Sequence, residues 1–195
     1  MPIASTALSY YLTGAASDGA ASTPASSLGG FRAGTVFSTA VDNNLFDDVS
    51  GDEAAAGDTE YRCYYVKNEN ASLPLLAPKI WIKTAVDDAD ATMAFAVERP
   101  ALSLATTGPA QGPVASEGIG PTVNISSSVG VGSGISDWST AASKASGVGM
   151  NLGTHGVDLS MSELIYVWTR RVYASGAGAQ ASVSVSFTVE GDTAA

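Results

Sequence analysis

Basic residues, cysteine and histidine are scarce in this chain. Its 195 residues contain nine lysines and arginines against nineteen aspartates and glutamates, which leaves a net charge of -10. A field of that sign repels phosphate backbones and anionic bilayers, so we expect no nucleic acid and no membrane surface as a partner. No stretch approaches the roughly 20 continuous apolar residues of a spanning helix, so the sequence predicts none.

The residues on which catalysis usually depends are equally sparse. Cys63 is the only cysteine, which excludes a disulfide within the chain, and His155 is the only histidine and has no partner motif around it. In Gly130–Gly134 glycine directly precedes the serine, so the nucleophile elbow is absent. Gly176–Ala181 fits a dinucleotide glycine pattern but leads into a strand, where no helix terminus meets a phosphate. We therefore expect no enzyme and no cofactor.

Alternation of apolar and polar residues predicts most of the strands. Residues 183–189 read VSVSFTV, which is the period of a half-buried strand. Leu164–Tyr173 is rich in β-branched and aromatic residues, and the glycine-bearing stretch Ser175–Gln180 joins it to the last strand. We expect these two strands to form a hairpin.

Further short strands follow from the same pattern. They are predicted at Leu8–Thr13, Thr35–Ser38, Glu60–Lys67, Ile80–Lys83 (bounded by Pro78), Met93–Val97 and Thr122–Ser126. In Glu60–Lys67 both faces carry aromatic or apolar residues, so the sequence leaves open which face is inside. Helical turns are predicted only at Asp52–Ala56, capped by Ser50, and at Asp137–Ala145. About eight short strands favour an all-β fold, an antiparallel β-sandwich or jelly roll.

Two long segments consist mainly of glycine, serine and alanine. The first, residues 14–30, is expected to be a flexible arm along a neighbouring subunit or a mobile loop. The second, residues 101–162, is expected to leave the sandwich as a long irregular loop, either as a binding surface or as a loosely packed connector. With one core and no internal repeat, residues 1–195 are predicted to form a single domain.

Carboxylates crowd one part of the chain. They are Asp42, Asp47, Asp48, Asp52, Glu53, Asp58, Glu60 and Glu69. Oxygen ligands at close spacing can hold calcium, but the spacing here does not match an EF-hand loop. We expect a solvated acidic loop, with a calcium site as the alternative.

Two segments of the chain resemble a known group of proteins. Leu45–Asn68, with the sequence LFDDVSGDEAAAGDTEYRCYYVKN, is similar to a stretch found in small virion structural proteins of tailed bacteriophages. Tyr166–Val172 (YVWTRRV) and Phe187–Thr193 (FTVEGDT) are similar to the carboxyl end of those proteins. The resemblance implies a virion structural protein. A small acidic β domain without catalytic residues further favours a capsid decoration, or cement, protein on the outer surface of the head.

A decoration protein binds the assembled lattice of the major capsid protein, and the resemblance implies that it also binds copies of itself, as trimers or dimers. Apolar, aromatic and arginine side chains are expected to make such contacts. The candidates are Tyr10, Tyr11, Leu12, Phe31, Arg32, Arg170 and Arg171. A place in the core is the alternative for the first five. The two adjacent arginines point to opposite faces of a strand, and one is expected to pair with an acidic group, either across a subunit contact or within the chain.

Two other functions remain open at this point. The first is a tail or head fibre, or a receptor-binding β domain, for which loop aromatics such as Trp138 would stack on sugars. The second is a glycan hydrolase that uses paired carboxylates such as Asp47 and Asp52, although the sequence does not give their separation.

Overall fold

The chain folds into two antiparallel β-sheets that pack face to face. The computed structural model describes residues 7–29, 31–37, 44–85, 89–98, 115–116, 120–121, 138–150, 158–161, 164–179 and 184–192. The strands are β1 (Leu8–Leu12), β2 (Thr59–Asn68), β3 (Leu75–Thr84), β4 (Ala91–Glu98), β5 (Ala115–Ser116), β6 (Gly120–Pro121), β7 (Val148–Gly149), β8 (Asp158–Leu159), β9 (Leu164–Tyr173) and β10 (Ser186–Asp192). The predicted all-β class and antiparallel two-sheet arrangement are confirmed.

The first sheet has the order β1-β2-β9-β4, and the second has the order β10-β3-β7, with β8 also paired to β3. The short strands β5 and β6 pair only with each other. Buried side chains from both large sheets form one core cluster, which includes Tyr64, Val66, Phe95, Val97, Ile165 and Val167 from the first sheet and Leu75, Ile80 and Ile82 from the second. Phe187 meets Phe95 edge to face across this core, with ring centroids 5.8 Å apart.

The outer face of the first sheet is buried as well. Cys63, Tyr65 and Trp168 are each 0% exposed and belong to a second cluster, against which Tyr11, Leu28 and Trp138 pack. Both faces of β2 are therefore inside, because the loops beside the sheet add a layer over its outer side. This explains why its sequence pattern could not identify a single inner face.

Irregular segments cover both edges of the first sheet. Residues 31–37 run along β1, where the Phe37 amide donates to the Tyr10 carbonyl at 3.0 Å and the Ala33 amide donates to the Leu12 carbonyl at 2.9 Å. At the opposite edge, Phe95 of β4 and Ser139 exchange two backbone hydrogen bonds of 3.0 and 2.7 Å. The backbone groups of these edge strands are thus partly paired within the chain.

Residues 14–29, expected to be an arm or a loop, form a loop that is bonded to the chain's own strands. Where β1 ends, the Thr13 and Ser27 hydroxyls donate to the Cys63 carbonyl at 3.0 and 2.6 Å. The Cys63 amide donates to the Ser27 carbonyl, and the Gly19 amide donates to the Arg32 carbonyl at 2.9 Å. Serine and threonine suit this position because their hydroxyls replace the hydrogen bonds that β1 no longer supplies to β2.

The predicted hairpin between the last two long strands is wrong. β9 pairs with β2 on one side and β4 on the other, whereas β10 pairs with β3 in the second sheet. Both edges of β9 are therefore occupied over most of its length, and no edge is left for β10. The apolar positions of β10 instead face the core from the opposite side, as the contact between Phe187 and Phe95 shows.

Pro78 was predicted to bound its strand, but it lies inside β3. The register between β3 and β10 shifts here: Lys79 pairs with Glu190, and Leu76 pairs with Asp192. Proline has no amide hydrogen to donate to a neighbouring strand. Within sheets it is therefore tolerated at bulges such as this one, where the regular hydrogen bonding is interrupted. The preceding residue, Ala77, has a φ of 43°, which few residues with a side chain adopt.

Gly191 lies opposite this bulge and leaves no room for a side chain. A Cβ at this position would lie 2.6 Å from the Leu76 carbonyl oxygen and 2.7 Å from Leu75 Cγ. We expect Gly191→Ala to lower the free energy of unfolding by about 1–3 kcal/mol, because the backbone of the bulge must shift. Urea denaturation followed by tryptophan fluorescence measures this change. The matched control is Gly178→Ala, where a Cβ would meet nothing within 4 Å; an equal loss in both variants would contradict the assignment.

The helical predictions have different outcomes. Gly51–Ala56 is an α-helix, α1, and Ser50 and Glu53 form a capping box at its start. This confirms the predicted cap at Ser50. The helical turn predicted at Asp137–Ala145 is wrong over the described residues 138–145, which contain no helix. Ser139 pairs with β4 in an extended bridge instead.

Some predictions fall outside the described residues. They concern the strand Thr122–Ser126, most of residues 101–162, His155 and Asp42.

Candidate functional site

A buried cluster of charged side chains lies at one end of the first sheet. It consists of Arg62, Arg171, Glu60 and Asp47. The side chains of Arg62, Arg171 and Glu60 are 1%, 4% and 6% exposed, whereas that of Asp47 is 70% exposed. Two buried cations thus share one buried and one exposed carboxylate.

The strands place three of these groups side by side. Glu60 and Arg62 are alternate residues of β2, so they share a face, and Arg171 of β9 is the direct partner of Glu60 in the register. Cross-strand partners in an antiparallel pair bring their side chains into contact. Arg171 accordingly forms a hydrogen-bonded ion pair with Glu60. Asp47 comes from the segment of residues 44–49, which precedes α1.

The two guanidiniums hold the 44–49 segment against the sheet. Arg62 donates from Nε to the Leu45 carbonyl at 2.9 Å, and Arg171 donates from Nη2 to the Asp47 carbonyl at 2.8 Å. The Phe46 ring lies over both, with its centroid 5.3 Å from Cζ of Arg62 and 4.8 Å from Cζ of Arg171. The cluster therefore supplies both charge pairing and backbone hydrogen bonds to this segment.

The ionisation of Glu60 is strongly perturbed in the cluster. Burial raises the pKa of Glu60 to about 7 from 4.5, although the guanidiniums of Arg171 and Arg62 oppose the rise. The folded chain holds this proton more tightly than the unfolded chain does. The carboxyl therefore stabilises the fold most below pH 4.5, and that contribution is lost as the pH rises through about 7.

Glu60 and Asp47 were not predicted as partners of Arg171, and Arg62 was not predicted as the second cation of the cluster. A signal was present, because Glu60 and Arg62 continue the face of β2 that carries the core residues Tyr64 and Val66. Charges at alternate positions of an otherwise apolar strand face indicate a buried ion pair. The partner strand could not be inferred, since the pairing of β2 with β9 spans about half of the chain.

The three candidate residues of β1 have different environments. Leu12 is buried in the core between the sheets, which was the alternative role. Tyr10 is partly buried against the same core and lies beside Phe37 and Tyr64, with centroid distances of 6.0 and 6.2 Å. Tyr11 points to the outer face, where its hydroxyl donates to Glu69 Oε1 at 2.6 Å.

Phe31 and Arg32 lie beside β1. Phe31 packs against the core as a partly buried side chain. Arg32 forms two hydrogen bonds with Asp18, from Nε at 3.0 Å and from Nη2 at 3.1 Å, and its guanidinium lies 4.9 Å from the centroid of Tyr11. The carboxylate and the ring fix the orientation of this arginine within the chain.

The adjacent arginines of β9 point to opposite faces. Arg171 pairs within the chain, so the internal alternative applies to it. Arg170 lies on the outer face, where its Cζ is 4.9 Å from the Trp138 ring centroid, and Tyr61 lies 5.8 Å from that ring. These three half-buried side chains form a compact group on the outer face.

Four carboxylates of the acidic stretch have partners within the chain. Glu53 accepts from the Ser50 amide at 2.7 Å, Glu60 and Asp47 bind arginines, and Glu69 pairs with Lys67 at 2.8 Å. Within the described ranges, no three His, Cys, Asp or Glu side chains converge as metal ligands. Asp42 and His155 lie outside these ranges.

The longest helix in the described part of the chain, α1, has six residues, so no helix there could cross a bilayer. Comparisons with protein families, with curated protein sequences and with solved structures found no match to this chain.

Proposed function

We propose that this chain is a structural protein of a tailed-phage virion and that it binds the outside of the capsid lattice as a decoration protein. The supporting observation is the contact between the separate segments that carry the resemblance. β2 belongs to the first segment and β9 contains Tyr166–Val172 of the second. These two strands pair over nine consecutive positions from Thr59–Val172 to Lys67–Leu164.

Side chains from these segments also build the buried ion cluster. Asp47, Glu60 and Arg62 lie in the first segment, and Arg171 lies in the second. The other part of the second segment begins at Phe187, whose ring meets Phe95 across the core. Segments far apart in the chain thus form one connected structural unit. This contact supports the interpretation that the resemblance to virion structural proteins reflects a similar fold.

The proposed mechanism requires binding to the capsid lattice and no catalysed reaction. A protein that binds only the assembled lattice stabilises that lattice by mass action. Copies joined as a trimer or dimer would multiply several weak contacts with the major capsid protein into a slow-dissociating attachment. The net charge of -10 suits a position outside the shell, away from the packaged nucleic acid.

The copy number per virion tests this proposal. We expect mass analysis of purified particles to give many copies, in a fixed ratio to the major capsid protein. Antibody labelling should cover the whole head, and particles that lack the chain should release DNA at a lower temperature. Absence from purified heads would contradict the proposal.

The fibre or receptor-binding alternative is favoured by one feature, the group of Tyr61, Trp138 and Arg170. Tryptophan and tyrosine rings stack on sugars, and all three residue types are common in protein interfaces. Against this reading, Arg170 already covers part of the indole ring. Antibody label confined to the tail tip or to fibres, with a low copy number, would favour this alternative and exclude decoration.

A further inference from the structure

We propose that the buried ion cluster is a pH-dependent latch for the 44–49 segment, closed when Glu60 is neutral and opened more often when Glu60 is ionised. This inference does not depend on the proposed function. It concerns how one part of the fold is held, whatever the chain binds.

The geometry supports a competition between two carboxylates for the same cations. Arg62 Nη2 lies 3.5 Å from Asp47 Oδ1 and 3.8 Å from Glu60 Oε1. Arg171 Nη2 lies 3.9 Å from Asp47 Oδ1 and in direct contact with Glu60 Oε2. Glu60 is fixed on the sheet, whereas Asp47 is carried by the segment. Each guanidinium can therefore be neutralised either by the sheet or by the segment.

The charge state of Glu60 decides which carboxylate is needed. With Glu60 neutral, Asp47 is the remaining anion of the buried ion cluster, so the segment supplies the negative charge beside both of its guanidiniums. With Glu60 ionised, the guanidiniums have an anion on the sheet itself, and the buried carboxylate gains hydration if the segment opens. Both effects favour opening at higher pH.

The charged groups around Glu60 on each packed element fit this description. Arg62 lies on β2, Arg171 on β9 and Asp47 on the segment. Glu53 of α1 also interacts with Arg171, but hydrogen bonds from the Ser50 hydroxyl and amide lower the pKa of Glu53. Glu53 therefore stays ionised near neutral pH. Burial raises the pKa of Glu60 to about 7, which places its ionisation in this range.

Linkage fixes the sign and the range of the effect. If opening exposes Glu60 to water, its pKa returns toward 4.5, so the open form binds the proton less tightly than the closed form. Raising the pH through 7 then increases the opening constant. The increase is at most about 300-fold for complete exposure of Glu60, and we expect at least about tenfold for partial exposure.

Labelling of an introduced thiol measures this opening in the full chain. Val49 is 4% exposed and belongs to the segment, so Val49→Cys is protected while the latch is closed. Its labelling rate, divided at each pH by that of a free peptide thiol, reports the opening constant. We expect this ratio to rise at least about tenfold between pH 5.5 and 8.5. The native Cys63, which is 0% exposed, serves as an internal control for global unfolding.

Two further variants test the assignment of the groups. In the Val49→Cys background, Glu60→Gln should keep labelling slow at every pH, and Asp47→Asn should speed labelling at pH 5.5. A pH-dependent ratio that survives Glu60→Gln would overturn the proposal, and so would a flat ratio in the parent or labelling of Cys63 at the same rate. If Glu60→Gln does not fold, the carboxyl ¹³C titration of Glu60 in the native chain decides. Its midpoint must coincide with the midpoint of the labelling profile.

Discussion

Replacing Arg62 with alanine is expected to lower the free energy of unfolding by about 3–5 kcal/mol, the usual cost of removing one partner from a buried ion pair. The guanidinium is 1% exposed and donates hydrogen bonds to the carbonyls of Leu45 and Tyr61. Its removal leaves Arg171 as the one cation of the cluster beside the buried Glu60, and it deprives the Leu45 carbonyl of this donor. The loss is therefore electrostatic as well as one of packing.

This loss should depend on pH. The Arg62 charge lowers the pKa of Glu60, so the variant raises that pKa further above about 7. At pH 5.5 Glu60 is largely protonated in both folded proteins, and the electrostatic part of the loss is small. At pH 8.5 it is ionised in the native chain and costly in the variant, so the destabilisation should be greater. Urea denaturation at the two pH values measures the difference.

Arg32→Ala is the matched control for this experiment. Arg32 also pairs with a carboxylate, Asp18, but its side chain is 20% exposed and its partner 31%. Surface pairs of this kind contribute about 0–1 kcal/mol. If Arg62→Ala costs no more than Arg32→Ala, the cluster is not a buried structural element of the protein in solution.

Replacing Trp168 with alanine should destabilise the chain by a similar amount, about 3–5 kcal/mol. Trp168 is 0% exposed and lies on the outer face of the first sheet, where Cys63 and Ala96 are its register partners on the two neighbouring strands. The substitution removes the largest fully buried side chain and leaves a cavity. Thermal and urea denaturation, followed by far-UV circular dichroism, provide the measurement.

Trp138→Ala is the comparison on the same face. Its indole is half-buried and contacts Arg170 and Tyr61, so we expect a smaller loss of roughly 1–2 kcal/mol. Equal losses in the two variants would mean that the outer layer is packed no more tightly around Trp168 than at its margin. A loss below about 1 kcal/mol for Trp168→Ala would contradict its burial.

Local patterns in the sequence were sufficient for the strands but not for their partners. The alternation in VSVSFTV predicts β10, and the cap at Ser50 predicts the start of α1, because both depend on neighbouring residues. The hairpin prediction failed because it assumed that consecutive strands pair, whereas β9 already has two neighbours. Which sheet a strand joins is decided by contacts that are distant in the sequence. A jelly-roll order of the strands stays a prediction.

The same limit applies to the candidate site. The opposite directions of Arg170 and Arg171 follow from the geometry of a strand. The identity of their partners does not, since Glu60 and Trp138 come from distant parts of the chain. The sequence could not show which face of β2 is the inner one, because a layer of loops covers the outer face and both faces are buried. Residues on which a functional proposal depends are thus the ones that single-sequence patterns locate least well.

The irregular segments along β1 and β4 have a consequence for the behaviour of the protein at high concentration. An uncovered strand offers a template on which another molecule can add its own backbone, which is a route to fibrils. Here residues 33–37 pair with β1 and Ser139 pairs with β4, which leaves fewer backbone groups at the edges of the first sheet for another molecule to bind. Copies that meet along these edges would have to recognise each other through side chains, and such recognition is reversible and selective.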